Sequence, residues 1–258
     1  MQNSVTEAAR VIGPGYTEDE GQMRTSLAVF HHAIALLGWD DHVATHISAR
    51  APDNPDHMFL APLGYMFREV TASSLMRVTL DGTKVDTAGN ARLNRGAVVI
   101  HGGVYHARPD VNWVVHLHTT ANVAVSAQRH GLLPISQYAM VLTGKLGYHP
   151  YEGIALDEDE RTRLKDHLGD FPTLLLQNHG SLVCAAAADE CFHYVYALER
   201  ACEVQIAALA GGCQNLNLCD DAVSELTAKQ IDAFSGFYDL AWEAMVRRVN
   251  SDMPGFDD

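Results

Sequence analysis

The sequence predicts an α/β fold: layered, and built on a mixed, mostly antiparallel central sheet. Three observations predict it. Strand-like segments alternate with helical ones along the chain, several early strands are joined by short turns, and one run, PTLLLQNHG, is continuously apolar in the manner of a buried strand.

The elements follow in order. Residues 1–22 are polar, contain Gly13-Pro14-Gly15, and read as a loosely held N-terminal arm ahead of a single domain over 23–250 and a tail over 251–258. Met23, Leu27, Phe30, Ile34 and Leu37 recur at helical spacing, and Gly38 stops the run. ATHIS, HMFLAP and LMRVTLDG are strand candidates, with Asp81-Gly82 as a hairpin turn. A short helix is expected over 94–106, broken by Arg108-Pro109-Asp110. WVVHLH is a strand, TANVAVSAQRHG a helix ending at Gly131, and GYHPYEG a glycine-rich loop. After PTLLLQNHG, whose polar end is Gln177-Asn178-His179, LVCA gives another strand. A helix over 189–209 puts Cys191, Val195, Leu198, Cys202 and Leu209 on one face and ends at Gly211-Gly212. The final helix opens on a capping-box pattern, Thr227-x-x-Gln230, and presents Ile231, Phe234, Tyr238, Trp242, Met245 and Val249.

Composition narrows the function classes. A net charge of −14 argues against nucleic acid or an anionic membrane as a partner, and no apolar run approaches the ~20 residues of a membrane-spanning helix. The N-terminus lacks the basic start and apolar stretch of a secretory signal. Five cysteines, an odd number without C-x-x-C spacing, indicate neither a disulfide framework nor a thiolate zinc site, so a reducing, cytoplasmic setting is expected.

The chemistry concentrates in histidines. On a strand, Trp113, Val115 and Leu117 face one way and Val114, His116 and His118 the other. Two imidazoles on one face can share an ion, yet the same H-x-H pattern also marks the wet face of an edge strand. His179 adds a third: it ends a buried strand, where an imidazole is costly unless paired or ligated, and Gly180 beside it allows close backbone approach. Three histidines with an open fourth position is the arrangement of a catalytic metal site.

Arg108-Pro109-Asp110 leading into His116-Leu117-His118-Thr119, then Asn178-His179-Gly180, make the chain resemble the class II aldolase/adducin family over roughly residues 23–212. Thr45-His46-Ile47-Ser48, Pro62-x-Gly64, Tyr151-Glu152-Gly153 and Leu198-Glu199-Arg200-Ala201 are weaker anchors. The resemblance implies a three-layer αβα sandwich and a homotetramer with active sites at subunit interfaces. It also implies one divalent metal, zinc first with manganese or iron as alternatives, held by His116, His118 and His179.

The chain departs from the aldolase pattern of that family. The glutamate that serves as acid/base there falls on Ala97, which can neither move a proton nor bind a metal. The phosphate-binding Gly-Asn becomes Thr45-His46, the serine of a Pro-Ser-Gly-like turn becomes Leu63, and a Ser-Ser pair becomes Arg95-Gly96. Arg95 could still meet a carboxylate. The resulting expectation is a metal-dependent carbon–carbon lyase, by decarboxylation or aldol-type cleavage through a metal-stabilised enolate, on a small non-phosphorylated carboxylic or hydroxy acid. His101, one helical turn beyond Ala97, is a candidate catalytic residue, as are Glu152 in the glycine-rich loop and Tyr238, which by the resemblance could cover a neighbouring subunit's site. Arg95, His46, Ser48, Gly64, Tyr148 and Tyr151 are the candidate substrate contacts. A non-haem iron oxygenase on the same histidines is the alternative. A non-enzymatic scaffold, as the adducin branch implies, would be expected to have lost the histidines.

Overall fold

The structure, a computed structural model, describes residues 18–86, 91–153, 158–234 and 236–258. Its strands are β1 (His46–Arg50), β2 (His57–Leu60), β3 (Met76–Thr79), β4 (Trp113–Leu117), β5 (Leu146–His149), β6 (Thr173–Leu176) and β7 (Gly180–Ala185). Its helices are α1 (Glu18–Leu37), α2 (Arg95–Ala107), α3 (Thr120–Ser126), α4 (Gln137–Val141), α5 (Glu158–Leu168), α6 (Ala188–Leu209), α7 (Asp221–Asp232) and α8 (Gly236–Asp252). The seven strands form one sheet in the order β3-β2-β1-β4-β7-β6-β5. Every neighbouring pair is antiparallel except β5 with β6.

Alternation along the strands divides the core in two. Trp113, Val115 and Leu117 pack with Ile47, Phe59 and Val183 against apolar residues of α1 and α6, including Leu27, Phe30, Val195 and Leu198. Val114, Leu174, Leu182 and Cys184 face the other way, onto Ala97–Tyr105 of α2 and onto Leu164 and Leu168 of α5. Helices therefore cover both faces, giving the three-layer αβα arrangement. The sheet centre, β4 beside β7, is where the ligand-type histidines lie. His31 and His32 of α1 are buried and hydrogen-bonded to backbone carbonyls, consistent with a structural role.

Several boundaries differ from the sequence reading. α1 starts at Glu18, ahead of the apolar register at Met23, and the first 17 residues of the expected arm lie outside the described residues. The helix expected to reach Gly131 ends at Ser126. The expected hairpin at Asp81-Gly82 closes with a single bridge, Val78 to Lys84. Gly147–His149, expected within a loop, belong to the edge strand Leu146–His149 because its backbone pairs with β6. The expected final helix is two: α7 ends at Asp232, capped by Ala233, and α8 begins at Gly236. Thr227 does not cap: it lies inside α7, where its hydroxyl donates back to the Val223 carbonyl at 2.9 Å. Among the described residues, no helix is long and apolar enough to cross a membrane.

Candidate metal centre

Antiparallel pairing assembles the site. His116 lies on β4 and His118 just past its end, while His179 sits in the β6–β7 turn, where Asn178 adopts φ 58° and reverses the chain. Because β7 pairs with β4, Leu117 opposite Ser181, the turn delivers His179 beside His118. Gly180 makes this approach possible: a Cβ there would lie 2.3 Å from the Leu117 carbonyl oxygen and 2.9 Å from His118 Cδ2.

The three rings converge on one point. His118 Nε2 lies 2.7 Å from His116 Nε2 and 3.0 Å from His179 Nε2, and ligand-type nitrogens of all three fall within 4.8 Å of one another. His116 Nδ1 donates to the Ser181 carbonyl at 2.8 Å, so its neutral ring presents a lone pair at Nε2. His118 Nδ1 lies 3.5 Å from the Asp41 carboxylate, the same orientation pattern. One hydrogen on His118 Nε2 cannot serve both neighbouring nitrogens, and two facing lone pairs repel; a shared cation satisfies all three. Burial holds His116 well below the ordinary imidazole pKa and His179 down at about 4, so each is a neutral donor at pH 7. The donor set fits a divalent metal of the zinc type.

These rings open onto a cavity of about 440 Å³ whose lining includes His46, Asn94, Arg95, Gly96 and Tyr151. Of the expected substrate contacts, His46, Arg95 and Tyr151 are therefore brought together with the three histidines. Tyr151 sets its ring 6.2 Å from that of His179. The others are placed elsewhere. Ser48 is buried behind the cavity, Gly64 lies in an exposed turn, and the Tyr148 hydroxyl accepts from the Leu132 N–H. His101 does not line the cavity: fully buried, it contacts His46 Nδ1 through Nε2 at 2.7 Å and Ser48 through Nδ1 at 2.5 Å. The Ser48 hydroxyl continues to Tyr105 at 2.8 Å. Glu152 is exposed and takes a hydrogen bond from Arg163, and Tyr238 stacks on His193 at 4.0 Å against a different cavity-lining face. Ala97 is buried in the apolar cluster under α2, its N–H accepted by Asn94.

A buried carboxylate underlies the site, and sequence reasoning assigned it no role. Glu199 accepts from Thr119 at 2.5 Å and from Asn122 at 2.7 Å, and Asn122 also donates to the Ser181 hydroxyl at 2.9 Å. This ties the end of β4 to the start of β7. Its signal in the sequence was a charge among the apolar positions Val195, Leu198 and Cys202 of one helix. Burial pushes the Glu199 carboxyl up to about 7, against the pull of its three hydrogen-bond donors. The folded chain thus holds this proton above the ~4.3 at which an unfolded glutamate releases it, so its contribution to stability falls as pH rises through that window. Urea melts are expected to show Glu199→Gln gaining about 3 kcal/mol relative to wild type between the two values. A pH-independent difference would mean that Glu199 titrates alike in both states.

Comparison with known proteins agrees with this geometry. The family model "Class II Aldolase and Adducin N-terminal domain" matches residues 25–206. A provisionally named aldolase class 2 protein of Caulobacter vibrioides is 42% identical over 243 residues, 94% of each chain. Alpha-adducin of Rattus norvegicus is 40% identical over 209 residues, which are 80% of this chain but 28% of that protein. The solved structure of an aldolase II superfamily protein from Pseudomonas syringae superposes with a TM-score of 0.91 at 37% identity, covering 95% of this chain and 98% of that one. On the sequence match, the shared fold and these identities, the chain belongs to the class II aldolase and adducin N-terminal domain family.

Proposed function

We propose that this protein is a divalent-metal-dependent carbon–carbon lyase acting on a small, non-phosphorylated carboxylic or hydroxy acid, with His116, His118 and His179 as ligands. The observation that carries the reading is the convergence of three neutral imidazole nitrogens on a cavity that also holds Arg95 and, among the described residues, has no serine or threonine in its lining. A bound divalent cation would supply Lewis-acid polarisation of a substrate carbonyl there. Arg95, exposed at the first position of α2, offers a planar fork to one carboxylate. A phosphate would find no hydroxyl cradle among the described lining residues. Cleavage leaves an electron pair on the carbon beside the carbonyl, and that carbon must gain a proton. We assign its placement to His46 Nε2, because Nδ1 of the same ring is held by His101 and the ring lines the cavity; burial keeps the ring neutral, so the proton comes from solvent hydrogen-bonded at Nε2 and not from the imidazole itself. His101, Ser48 and Tyr105 then hold His46 in place from behind. Zinc, a homo-oligomeric assembly and a reducing cytoplasmic setting complete the proposal; the cysteines at 184, 191, 202, 213 and 219 are all free thiols.

Identity to alpha-adducin favours a second reading, a binding domain without catalysis. One experiment separates them: elemental analysis of the purified protein, followed by assays for carbon dioxide and aldehyde release from a panel of oxo and hydroxy acids, with and without chelator. Chelator-sensitive release is the expected result. A metal-loaded protein inert across the panel supports the binding domain, and tight iron with oxygen uptake would replace the lyase by an oxygenase.

A further inference from the structure

Three neutral imidazoles leave a divalent cation with its full charge, and among the described residues the cavity lining offers no carboxylate to offset it. Ala97 cannot provide one. Asp41, in the segment between α1 and β1, sets a carboxylate 3.5 Å from His118 Nδ1. We infer that Asp41 is a positioning residue of this centre, its carboxylate fixing the His118 ring through Nδ1 and supplying the negative charge that the α2 side lacks. The inference rests on the reading of His118 as a ligand.

The placement of Asp41 is built by its surroundings. Gly38, at φ 71°, closes α1, and the Trp39 indole donates to Glu203 at 3.1 Å, pinning the chain as it leaves the helix. Asp41 then opens a turn in which the Ala44 N–H returns to the Asp41 carbonyl at 2.9 Å, and His42 takes φ 51°. Positive φ at a non-glycine residue is uncommon and persists only where the surrounding structure holds it. The Asp41 N–H donates to the buried Thr45 hydroxyl at 3.4 Å. The carboxylate thereby comes within 3.5 Å of His118 Nδ1, about half exposed at 51% while the histidine side chain is 21% exposed.

The chemistry of this contact is specific. A hydrogen on Nδ1 facing Asp41 leaves Nε2 as the lone-pair nitrogen, pointing at His116 and His179, and the anion makes that lone pair more basic. His116 is oriented by a neutral carbonyl, that of Ser181, whereas His118 faces the carboxylate of Asp41.

The test is zinc affinity of the purified full chain by chelator competition, with the cobalt-substituted protein giving a visible spectrum of the coordination sphere. Asp41→Ala is expected to weaken affinity roughly 10–100-fold and shift the cobalt bands, while the melting temperature of the metal-free protein stays that of wild type. Asp41→Asn, which keeps an oxygen acceptor without the charge, is expected to lose less than alanine. Asp40→Ala, the neighbouring carboxylate, is expected to leave affinity unchanged. Affinity within about twofold of wild type in both Asp41 variants overturns the inference, and so does an equal loss in Asp40→Ala, which would point to the loop's net charge. A wild-type chain that binds no metal overturns the ligand assignment itself, and so differs from failure at Asp41 alone.

Discussion

Replacing His116 with alanine is expected to abolish stoichiometric metal binding and the chelator-sensitive turnover with it. His116 is the most enclosed of the three rings, 1% exposed, and the one whose tautomer is set by a buried backbone contact. Its removal leaves two nitrogens, His118 Nε2 and His179 Nε2, on flanking segments with no third donor between them. Loss of a ligand should exceed the roughly 10–100-fold effect of an orienting partner, so an affinity drop of more than about 100-fold is anticipated. The Ser181 carbonyl also loses its side-chain donor in the core, at a cost of about 1–3 kcal/mol in metal-free stability. Chelator competition and urea melts read these two effects separately. His106→Ala, at an exposed histidine 3.5 Å from Asp81, should change neither. Wild-type metal content in the His116 variant would remove the basis of the lyase reading.

Gly180→Ala is expected to damage both the fold and the site. The new Cβ would fall 2.3 Å from the Leu117 carbonyl oxygen and 2.9 Å from His118 Cδ2. The first of these is backbone of the adjacent strand, which cannot rotate away as a side chain can. β4 and β7 are interior strands paired along Trp113–Leu117, so relief requires the two to separate where the three histidines meet. Overpacking of this kind costs about 1–3 kcal/mol where side chains can yield, and we expect about 3 kcal/mol or more here. Zinc affinity should fall in parallel, because His118 and His179 sit on either side of the clash. Gly236→Ala, with open space at the start of α8, is the matched control and should be close to neutral. A Gly180→Ala protein with the wild-type urea midpoint and metal affinity would show that β4 and β7 are not in the contact described.

Much of the layered fold was legible because side-chain period reports local geometry. The alternation of Trp113, Val115 and Leu117 with Val114 and His116 matches the two faces of β4, and the glycine after His179 does permit a close backbone approach. Elements with weak periodic signals were missed. α5 is largely charged, with Leu164 and Leu168 as its buried anchors, and β5 is four residues long and owes its form to pairing with β6. The continuous helix expected from Thr227 failed because apolar positions at helical spacing do not disclose where one helix ends and the next begins.

The site divides along the same line. The residues themselves determined the donor types and the shared face of His116 and His118, both local and fixed by identity and by the two-residue period of a strand; that Ala97 stands in a carboxylate's place is what the family resemblance implies. Only the tertiary structure decided what stands beside them. Antiparallel register places His46 opposite His116, with His101 buried behind it; a turn far upstream brings Asp41 to His118; a helix eighty residues downstream sets Glu199 beneath Thr119. Those neighbours lie far apart in the chain, and their contacts depend on strand pairing and layer packing, which no local pattern encodes.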